Sequence, residues 1–231
     1  MGLYAIGDLH LSGKDNKKSM DIFGDKWSNH WQRIKENWIS LIDEEDCVLI
    51  PGDISWALKL EEAKEDILEI SKLPGKKIIL RGNHDYWWSS YRKVQQTLVG
   101  NMQALQNNSI IVGKTAICGT RGWICPNERN FTLEDKKIYE RELLRLKLSL
   151  DSLKGKEYEK IVVMLHYPPF NDKNEESGFV EIIESYNVNN VIYAHLHNIK
   201  AKSDRYDFIK NEISYNLVSC DYLDFIPQLI I

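Results

Sequence analysis

The side chains in this chain that are best suited to chemistry are Asp, Asn and His, and they fall into five short segments. The segments are Gly7-Asp8-Leu9-His10, Gly52-Asp53, Gly82-Asn83-His84-Asp85, Leu165-His166-Tyr167-Pro168 and Ala194-His195-Leu196-His197. Each segment directly follows a short apolar run of the kind that forms a buried strand. Ligands of open α/β sheets bind beyond the carboxyl ends of the strands, so the five segments are predicted to converge on one site.

The chemistry that these residue types favour is metal binding. Carboxylate and amide oxygens combined with imidazole nitrogens, and without cysteine, suit Mn²⁺, Fe²⁺/³⁺ or Zn²⁺. Asp8 and His10 are two positions apart, so their side chains would share one face if the strand stayed extended through them. His195 and His197 repeat this spacing, whereas His30 is predicted to be a surface or boundary residue outside the site. The candidate ligands are too many for one tetrahedral zinc and indicate two ions: Asp8, His10, Asp53, Asn83, His166, His195 and His197.

The composition is that of an ordinary globular protein. The 231 residues are 43% hydrophobic and 28% charged, and they are predicted to form a single domain, 1–231. A net charge of −4 gives no attraction to nucleic acid or to anionic lipid. No apolar stretch approaches the roughly 18 residues that span a bilayer, and residues 3–6 form a predicted strand instead of a secretion signal. We therefore expect a cytoplasmic protein without a membrane partner, with its cysteines buried and reduced.

Alternating apolar strands and amphipathic helices indicate an α/β fold with a mixed sheet, or with two sheets packed together. Predicted strands cover residues 3–6, 47–50, 77–80, 110–112, 116–118, 161–165, 191–193 and 214–219. Helical spacing of apolar residues covers 31–41, 60–70 and 179–186. The longest helix is predicted to begin after Thr132, with Asp135 completing a cap, and to pack a stripe that ends at Leu153 against a sheet. Residues 103–122 are predicted to contain a hairpin, and 11–29 and 121–132 to be long loops beside the site.

In their order along the chain, the five segments match the DxH, GDxx, GNH[DE], H and GHxH motifs of the calcineurin-like metallophosphoesterases. The chain resembles this family over nearly its whole length, and four longer stretches resemble a bacterial subgroup, the Icc-like phosphohydrolases: residues 20–24, 52–56, 81–88 and 119–123. The resemblance implies a four-layer αββα sandwich of two mixed sheets flanked by helices. One departure is Ala194, where the family usually has Gly. Its methyl group is expected to crowd the turn mildly without removing a ligand.

The same resemblance implies how the ligands divide between two ions. One ion would be held by Asp8, His10 and His197, the other by Asn83, His166 and His195, and Asp53 would bridge them. Two ions about 3.5–4 Å apart can share a hydroxide, lower its pKa, and bind phosphoryl oxygens during in-line attack on a phosphomonoester or phosphodiester.

Two residues next to the ligands are implied to assist catalysis. His84 would reach the phosphate or the leaving oxygen as a general acid or a charge stabiliser. Asp85 would bind and orient the His84 imidazole, or it would instead be a carboxylate at a helix N-terminus.

A small phosphate ester is the predicted substrate. Arg121 and Arg129 flank Trp123 in the second long loop, so the guanidinium groups could clamp a phosphate while the indole stacks on a base or sugar. The alternative for the two arginines is a solvent-exposed position in the loop without any contact. A nuclease is disfavoured by the acidic balance.

Two alternatives to a small-molecule phosphoesterase stay open. One is a non-catalytic scaffold that keeps the metal pocket, and the other is a protein phosphatase of the serine/threonine type. A scaffold would be expected to lack some ligands or His84, and all of these residues are present. The sequence makes no prediction of the oligomeric state.

Overall fold

The computed structural model describes residues 1–13, 19–127, 131–199, 203 and 205–231. Two mixed β-sheets flanked by helices form an α/β sandwich, which confirms the predicted fold class. The strands are β1 (Leu3–Ala5), β2 (Cys47–Ile50), β3 (Lys76–Ile79), β4 (Met102–Ala104), β5 (Ile110–Val112), β6 (Thr115–Thr120), β7 (Lys160–Leu165), β8 (Asn190–Tyr193), β9 (Phe208–Lys210), β10 (Ile213–Leu217) and β11 (Gln228–Leu229). The α-helices are α1 (His30–Leu41), α2 (Leu60–Ser71), α3 (Tyr91–Thr97), α4 (Leu133–Asp151) and α5 (Gly178–Ser185).

The first sheet is built from the first four strands and the last strand of the chain, and the second sheet from the strands between them. The first sheet has the strand order β11-β1-β2-β3-β4, in which β1 to β4 are parallel and β11 is antiparallel. The second has the order β5-β6-β7-β8-β10-β9, with antiparallel edges at β5 and β9. The central strands are buried on both faces, which explains why they appear in the sequence as continuous apolar runs. The predicted hairpin is β5 and β6, and the chain crosses from one sheet to the other just before it.

The longest helix confirms its predicted cap. The Thr132 hydroxyl accepts a hydrogen bond from the Asp135 N–H, and the Asp135 carboxylate accepts one from the Thr132 N–H, so α4 begins with a capping box. The helix packs on β6, as predicted, but it ends at Asp151, so Leu153 lies beyond it.

The short helix α3, and the strands β4, β9 and β11, were not predicted. All four cysteines are buried and unpaired, as predicted. Two 3-10 helices precede α1, at Met20–Phe23 and Asp25–Trp27.

Among the described residues, no helix combines the length and the apolar character that crossing a membrane requires.

The loops after β2 and β3 approach each other so closely that one of them needs a glycine. A Cβ atom on Gly82 would lie 2.1 Å from Asp53 Oδ1 and 2.3 Å from the Asp53 backbone nitrogen. Any side chain at this position would therefore push the two loops apart. The approach brings Asp53 and Asn83, which follow different strands, into one cluster.

We predict that Gly82→Ala lowers the free energy of unfolding by about 3 kcal/mol, because the clash is with backbone and a fixed carboxylate that cannot rotate away. Urea denaturation measures the change. Gly2→Ala is the matched control, since the nearest atom to its added methyl group is the edge of the Tyr4 ring, at 2.8 Å, which can move. Equal stability losses in the two variants would contradict the importance of this approach.

Candidate metal centre

The five segments converge where the carboxyl ends of strands from both sheets meet. Asp8 and His10 follow β1, Asp53 follows β2, and Asn83 follows β3, all in the first sheet. The remaining candidate ligands follow β7 and β8 of the second sheet: His166, His195 and His197. A hydrogen bond across the seam joins the two sets, because the backbone N–H of His195 donates to Asp8 Oδ2 at 2.9 Å.

The backbone at the site is not extended, contrary to the expectation for Asp8 and His10. β1 ends at Ala5, and Asp8 and His10 have φ values of 57° and 47°, in the left-handed region that non-glycine residues rarely adopt. Asp53 and His195 share this conformation, with φ of 52° and 73°. The side chains therefore converge because of loop conformation instead of strand alternation. Several strained residues at one site are typical of a functional centre that its surroundings hold in place.

One group of potential ligand atoms is formed by Asp8, His10 and His197, whose donor atoms lie within 4.8 Å of one another. The Nε2 atoms of His10 and His197 are 3.3 Å apart. Asp8 Oδ1 is buried and has no hydrogen-bond partner in the described part of the chain. A buried carboxylate oxygen without a donor is costly unless a cation binds it, so this group fits a metal ion.

The second group is formed by Asp53, His166 and His195, with Asn83 beside them. Asn83 Oδ1 lies 2.6 Å from His166 Nε2 and 2.9 Å from His195 Nδ1. The other nitrogen of His166, Nδ1, is 2.9 Å from the carbonyl oxygen of Pro51, which can only accept a hydrogen bond. Nδ1 therefore carries the proton, and the Nε2 lone pair points at the Asn83 oxygen. Two acceptors at this distance repel each other unless a cation lies near both.

Asp53 lies between the two groups. Its Oδ2 atom is 3.8 Å from His10 Nε2 and 3.6 Å from His166 Nε2, and Oδ1 accepts a hydrogen bond from the His84 N–H at 2.8 Å. Within the described ranges Oδ2 has no hydrogen-bond partner, although it is buried. This is the position that a carboxylate shared by two ions would need.

Burial shifts the acid–base properties of these side chains toward neutral forms. Burial lowers the pKa of His166 to about 3, even though its bond to Pro51 opposes the shift. The pKa of His195 is also lowered to about 3, by burial and by the nearby charge of His166. Burial raises the pKa of Asp8 to about 7, where the charge of His197 opposes the shift and that of Asp53 adds to it. Neutral imidazoles are the form that binds metal ions.

His197 differs from the other histidines because an acidic residue that the sequence interpretation missed supports it. Burial alone would lower its pKa, but Asp221 and the charges of Asp8 and Asp53 outweigh burial and raise that pKa to about 9. Asp221 Oδ1 is 2.9 Å from His197 Nδ1, and Oδ2 accepts the N–H of Asn198 at 2.9 Å. This fully buried aspartate follows β10. The signal that identified the other segments, a polar residue just after an apolar strand, also marks Asp221.

His84 lies at the edge of the cluster, half-buried, and its imidazole is beside Trp56 with ring centroids 4.6 Å apart. Trp56 also stacks on His10 at 4.7 Å, with an angle of 17° between the rings. Trp27 covers the other side, since its ring edge meets the His197 ring at 5.5 Å. His30 is buried under Trp27, with Nε2 3.0 Å from the carbonyl oxygen of Leu9, so it does not occupy the predicted surface or boundary position.

Asp85 does not bind the His84 imidazole as predicted. Its carboxylate is fully buried and accepts four hydrogen bonds, from the backbone N–H groups of Ile54, Ser55 and Gly82 and from the indole of Trp87. The helix alternative is also wrong, because α3 begins only at Tyr91. These donors come from the loops after β2 and β3, so Asp85 fastens the two loops that carry Asp53 and Asn83. We therefore assign Asp85 a positioning role.

The predicted substrate residues are placed beside the centre, but not as a free clamp. The Trp123 indole donates to Asp135 at 3.1 Å and packs against Tyr167, whose ring lies 4.1 Å from that of His195. The Arg121 guanidinium lies over the same indole, 4.6 Å from its centroid. Trp123 thus supports Tyr167, whose ring packs beside the candidate ligand His195. Arg129 lies outside the described residues.

Ala194 is accommodated by Gly7. The Ala194 methyl group is 2.8 Å from the point where Gly7 would carry a Cβ atom, and Ala194 is not among the residues with positive φ. The methyl group therefore restricts its neighbour across the seam and does not strain its own turn.

We predict that loading the metal-free protein with Mn²⁺ at pH 7 releases roughly one to two protons per chain. His197 is protonated below its pKa of about 9, and Asp8 is half protonated near its pKa of about 7, and both must lose the proton to bind a metal. Calorimetry in two buffers of different ionisation enthalpy measures the release, which should fall toward one at pH 8. Asp221→Asn should reduce the proton release, because it removes the negative charge beside His197 that helps to raise the pKa of that residue. Release that is independent of pH and of Asp221 would contradict this account.

Comparison with known proteins agrees with this architecture. The family model of the calcineurin-like phosphoesterases matches residues 1–198. Among solved structures, TT1561 of Thermus thermophilus is similar with a TM-score of 0.60 at 13% identity, over 98% of this chain and 96% of that one. Phosphopantetheinyl hydrolase of Mycobacterium tuberculosis is similar with a TM-score of 0.57 at 12% identity, over 100% and 95%. A protein of unknown function from Aquifex aeolicus has a TM-score of 0.51 at 15% identity, over 98% and 94%.

No curated protein matches the chain in sequence. At these identities the solved structures bear on the fold alone, and the narrower likeness to the Icc-like subgroup stays a prediction. The family match covers most of the chain and includes all five motif segments. The chain belongs to the calcineurin-like phosphoesterase family.

Proposed function

We propose that this protein is a hydrolase that cleaves a small phosphate ester with the help of two metal ions. Membership of the family supports a metal-dependent phosphoesterase in general. The observation that carries the more specific proposal is the buried, unpartnered Oδ2 of Asp53, which lies between two separate groups of potential ligands among the described residues. A single ion would account for only one of these two groups.

The chain's own donors divide between the two ions as the family resemblance implies. Asp53 would be shared, and each ion would in addition be held by three side chains: Asp8, His10 and His197 for one, and Asn83, His166 and His195 for the other. The oxygen and imidazole donors suit Mn, Fe or Zn. When bound, such a pair of ions lowers the pKa of a water molecule and neutralises the charge that builds up on a phosphoryl group.

His84 is the proposed acid for the leaving group. Its backbone N–H binds the shared carboxylate of Asp53, so the residue is fixed next to the centre, yet its half-buried imidazole is not taken up by either ligand group. Trp56 packs on both the His84 and His10 rings and holds their separation at 5.9 Å between centroids. A positioned imidazole can protonate the leaving oxygen, or stabilise its charge, as the ester bond breaks.

The charge of the protein supports a small substrate. A net charge of −4 offers no long-range attraction to a nucleic acid, so we propose a small phosphate ester as the partner and no membrane or nucleic acid. A role for Arg121, Arg129 and Trp123 in substrate binding and a cytoplasmic location remain predictions. No contact in the described part of the chain favours the scaffold or the protein phosphatase alternative.

The proposal is tested by hydrolysis of two chromogenic esters, nitrophenyl phosphate and bis-nitrophenyl phosphate, with Mn²⁺-loaded protein. Cleavage of either ester supports the proposal, and the preferred ester indicates whether monoesters or diesters should be pursued. Failure to cleave either ester by protein that holds two ions would favour the scaffold alternative.

We predict that His84→Ala keeps both metal ions but lowers kcat about 10²- to 10⁴-fold, the usual contribution of a general acid. Metal content is measured by elemental analysis, and the rate with the preferred ester. Tyr86→Phe is the matched control, because it changes an exposed ring 6.2 Å from the His84 ring and should leave the rate unchanged. Full activity in His84→Ala would refute the assigned role.

We predict that Asp53→Ala holds fewer than two ions, because it removes the carboxylate that both ligand groups face. Asp25→Ala, at an exposed carboxylate remote from the ligands in sequence, should retain the wild-type metal content. Elemental analysis after dialysis distinguishes these outcomes. Two ions retained in Asp53→Ala would exclude a bridging role.

A further inference from the structure

A cavity separate from the ligand groups is lined by four arginines. It has a volume of about 200 Å³ and lies between the ends of β3 and β6 and the side of α4. Its guanidinium groups belong to Arg81, Arg121, Arg141 and Arg145. None of the candidate metal ligands is among the described residues that line it. We call it the arginine cavity.

The four arginines that line the arginine cavity carry more positive charge than the carboxylate beside them can neutralise. Glu142, which is fully buried, is the one carboxylate among the described residues of the lining. Its Oε1 atom is 2.6 Å from Arg145 Nη1, 3.7 Å from Arg141 Nε and 3.8 Å from Arg121 Nη2. Its Oε2 atom is occupied by the hydroxyl of Thr120, at 2.5 Å. One carboxylate thus faces three guanidinium groups, and Arg81 adds a fourth cation.

Two of these guanidinium groups also have buried donors without a partner. The Nε atoms of Arg81 and Arg121 are shielded from solvent and form no hydrogen bond within the described ranges. Burial lowers the pKa of Arg121 against the opposing effect of Glu142, and the charge of Arg81 adds to the lowering. Buried donors and surplus charge of one sign call for an acceptor that carries negative charge.

The size of the arginine cavity limits the ligand to a small anion. A volume of about 200 Å³ is below the usual range of a pocket for a drug-sized molecule, about 300–1,000 Å³, but exceeds the ~30 Å³ share of a water several-fold. A tetrahedral oxyanion with a few waters fits this volume. Guanidinium groups bind phosphate oxygens in pairs, with strong charge-assisted hydrogen bonds.

The arginine cavity adjoins the loops that carry two of the candidate ligands. Arg81 is separated from Asn83 by one residue, Gly82. The carbonyl oxygen of Arg121 accepts the backbone N–H groups of His166 and Tyr167, each at 3.0 Å. An anion that draws Arg81 and Arg121 together would therefore act on the backbone next to both ligands.

We propose that the arginine cavity is a second anion site, which binds a phosphate-type group apart from the metal centre. Two sources share this chemistry. One is free inorganic phosphate, and the other is a further phosphate group of the substrate itself, an assignment that rests on the proposed function.

The binding test uses inorganic phosphate as the probe and the metal-loaded protein. Calorimetry should detect phosphate binding that persists in Asp53→Ala, which weakens the metal centre, and that loses at least about tenfold in affinity in Arg145→Gln. Arg141→Gln is a second variant, since its side chain is 53% exposed and its loss does not leave Glu142 unpaired. Lys147→Gln, at an exposed position of α4, removes the same charge outside the cavity and should bind phosphate as wild type does.

Two results would overturn the proposal. In one, Asp53→Ala abolishes all phosphate binding, so that the anion binds at the metals alone. In the other, Lys147→Gln weakens binding as much as the arginine variants do, so that the effect is one of general charge. Neither result depends on whether the protein hydrolyses the chromogenic esters, so failure here is distinguishable from failure of the proposed function.

The source of the anion is distinguished by kinetics with Arg141→Gln. If the substrate supplies the phosphate, the KM of an ester with a second phosphate group should rise about tenfold, while that of nitrophenyl phosphate should not change. If free phosphate is the ligand, both KM values should stay the same and only the dissociation constant of phosphate should rise. Each outcome supports the arginine cavity as an anion site and identifies what fills it.

Discussion

The burial of two carboxylates in one cluster is the constraint on which the rest of the structure depends. Asp8 and Asp53 are almost completely shielded from water, and the charge of each raises the cost of charging the other. Backbone N–H groups satisfy only one oxygen of each, so the remaining oxygens are open to a cation. Three further features accompany this arrangement. The loops that carry the ligands adopt left-handed conformations, and the loops after β2 and β3 meet at a glycine. The pKa values of His166 and His195 are lowered, so these imidazoles are neutral. Together they hold several acceptor atoms close to one another, an arrangement that a bound metal ion would stabilise.

The residues around this cluster fix its geometry from different directions. Asp85 fastens two loops of the first sheet through four N–H donors, and Asp221 orients His197 from the end of β10. Trp27 and Trp56 cover the imidazoles and limit the access of water to them. These side chains contact the ligands or fasten the loops that carry them, so the centre is supported by surrounding groups from both sheets.

The sequence predicted the central strands and the convergence of the five segments, because parallel strands buried on both faces leave continuous apolar runs with polar residues at their ends. It did not predict β4, β9 and β11, since two or three residues at a sheet edge carry too little periodicity. It also missed how the site is built: a spacing of two suggested an extended strand, whereas Asp8 and His10 adopt left-handed loop conformations that only tertiary contacts impose. The roles of Asp85 and Asp221 depend on which groups the fold brings near them, and local sequence does not encode this.

The hydrogen bond between Asp8 and His195 joins residues 187 positions apart, and it has a consequence for the newly made protein. Chains emerge from the ribosome with the N-terminal part first, at about 5–20 residues per second. The strands β1 to β4, with Asp8, Asp53 and Asn83 in the loops that follow them, are therefore synthesised several seconds before His195 and His197. During that interval the two acidic side chains have no imidazole partners from the second sheet. Complete ligand sets can assemble only after His195 and His197 have been synthesised, so the binding of metal by complete sets must follow the folding of the second sheet's last parallel strands.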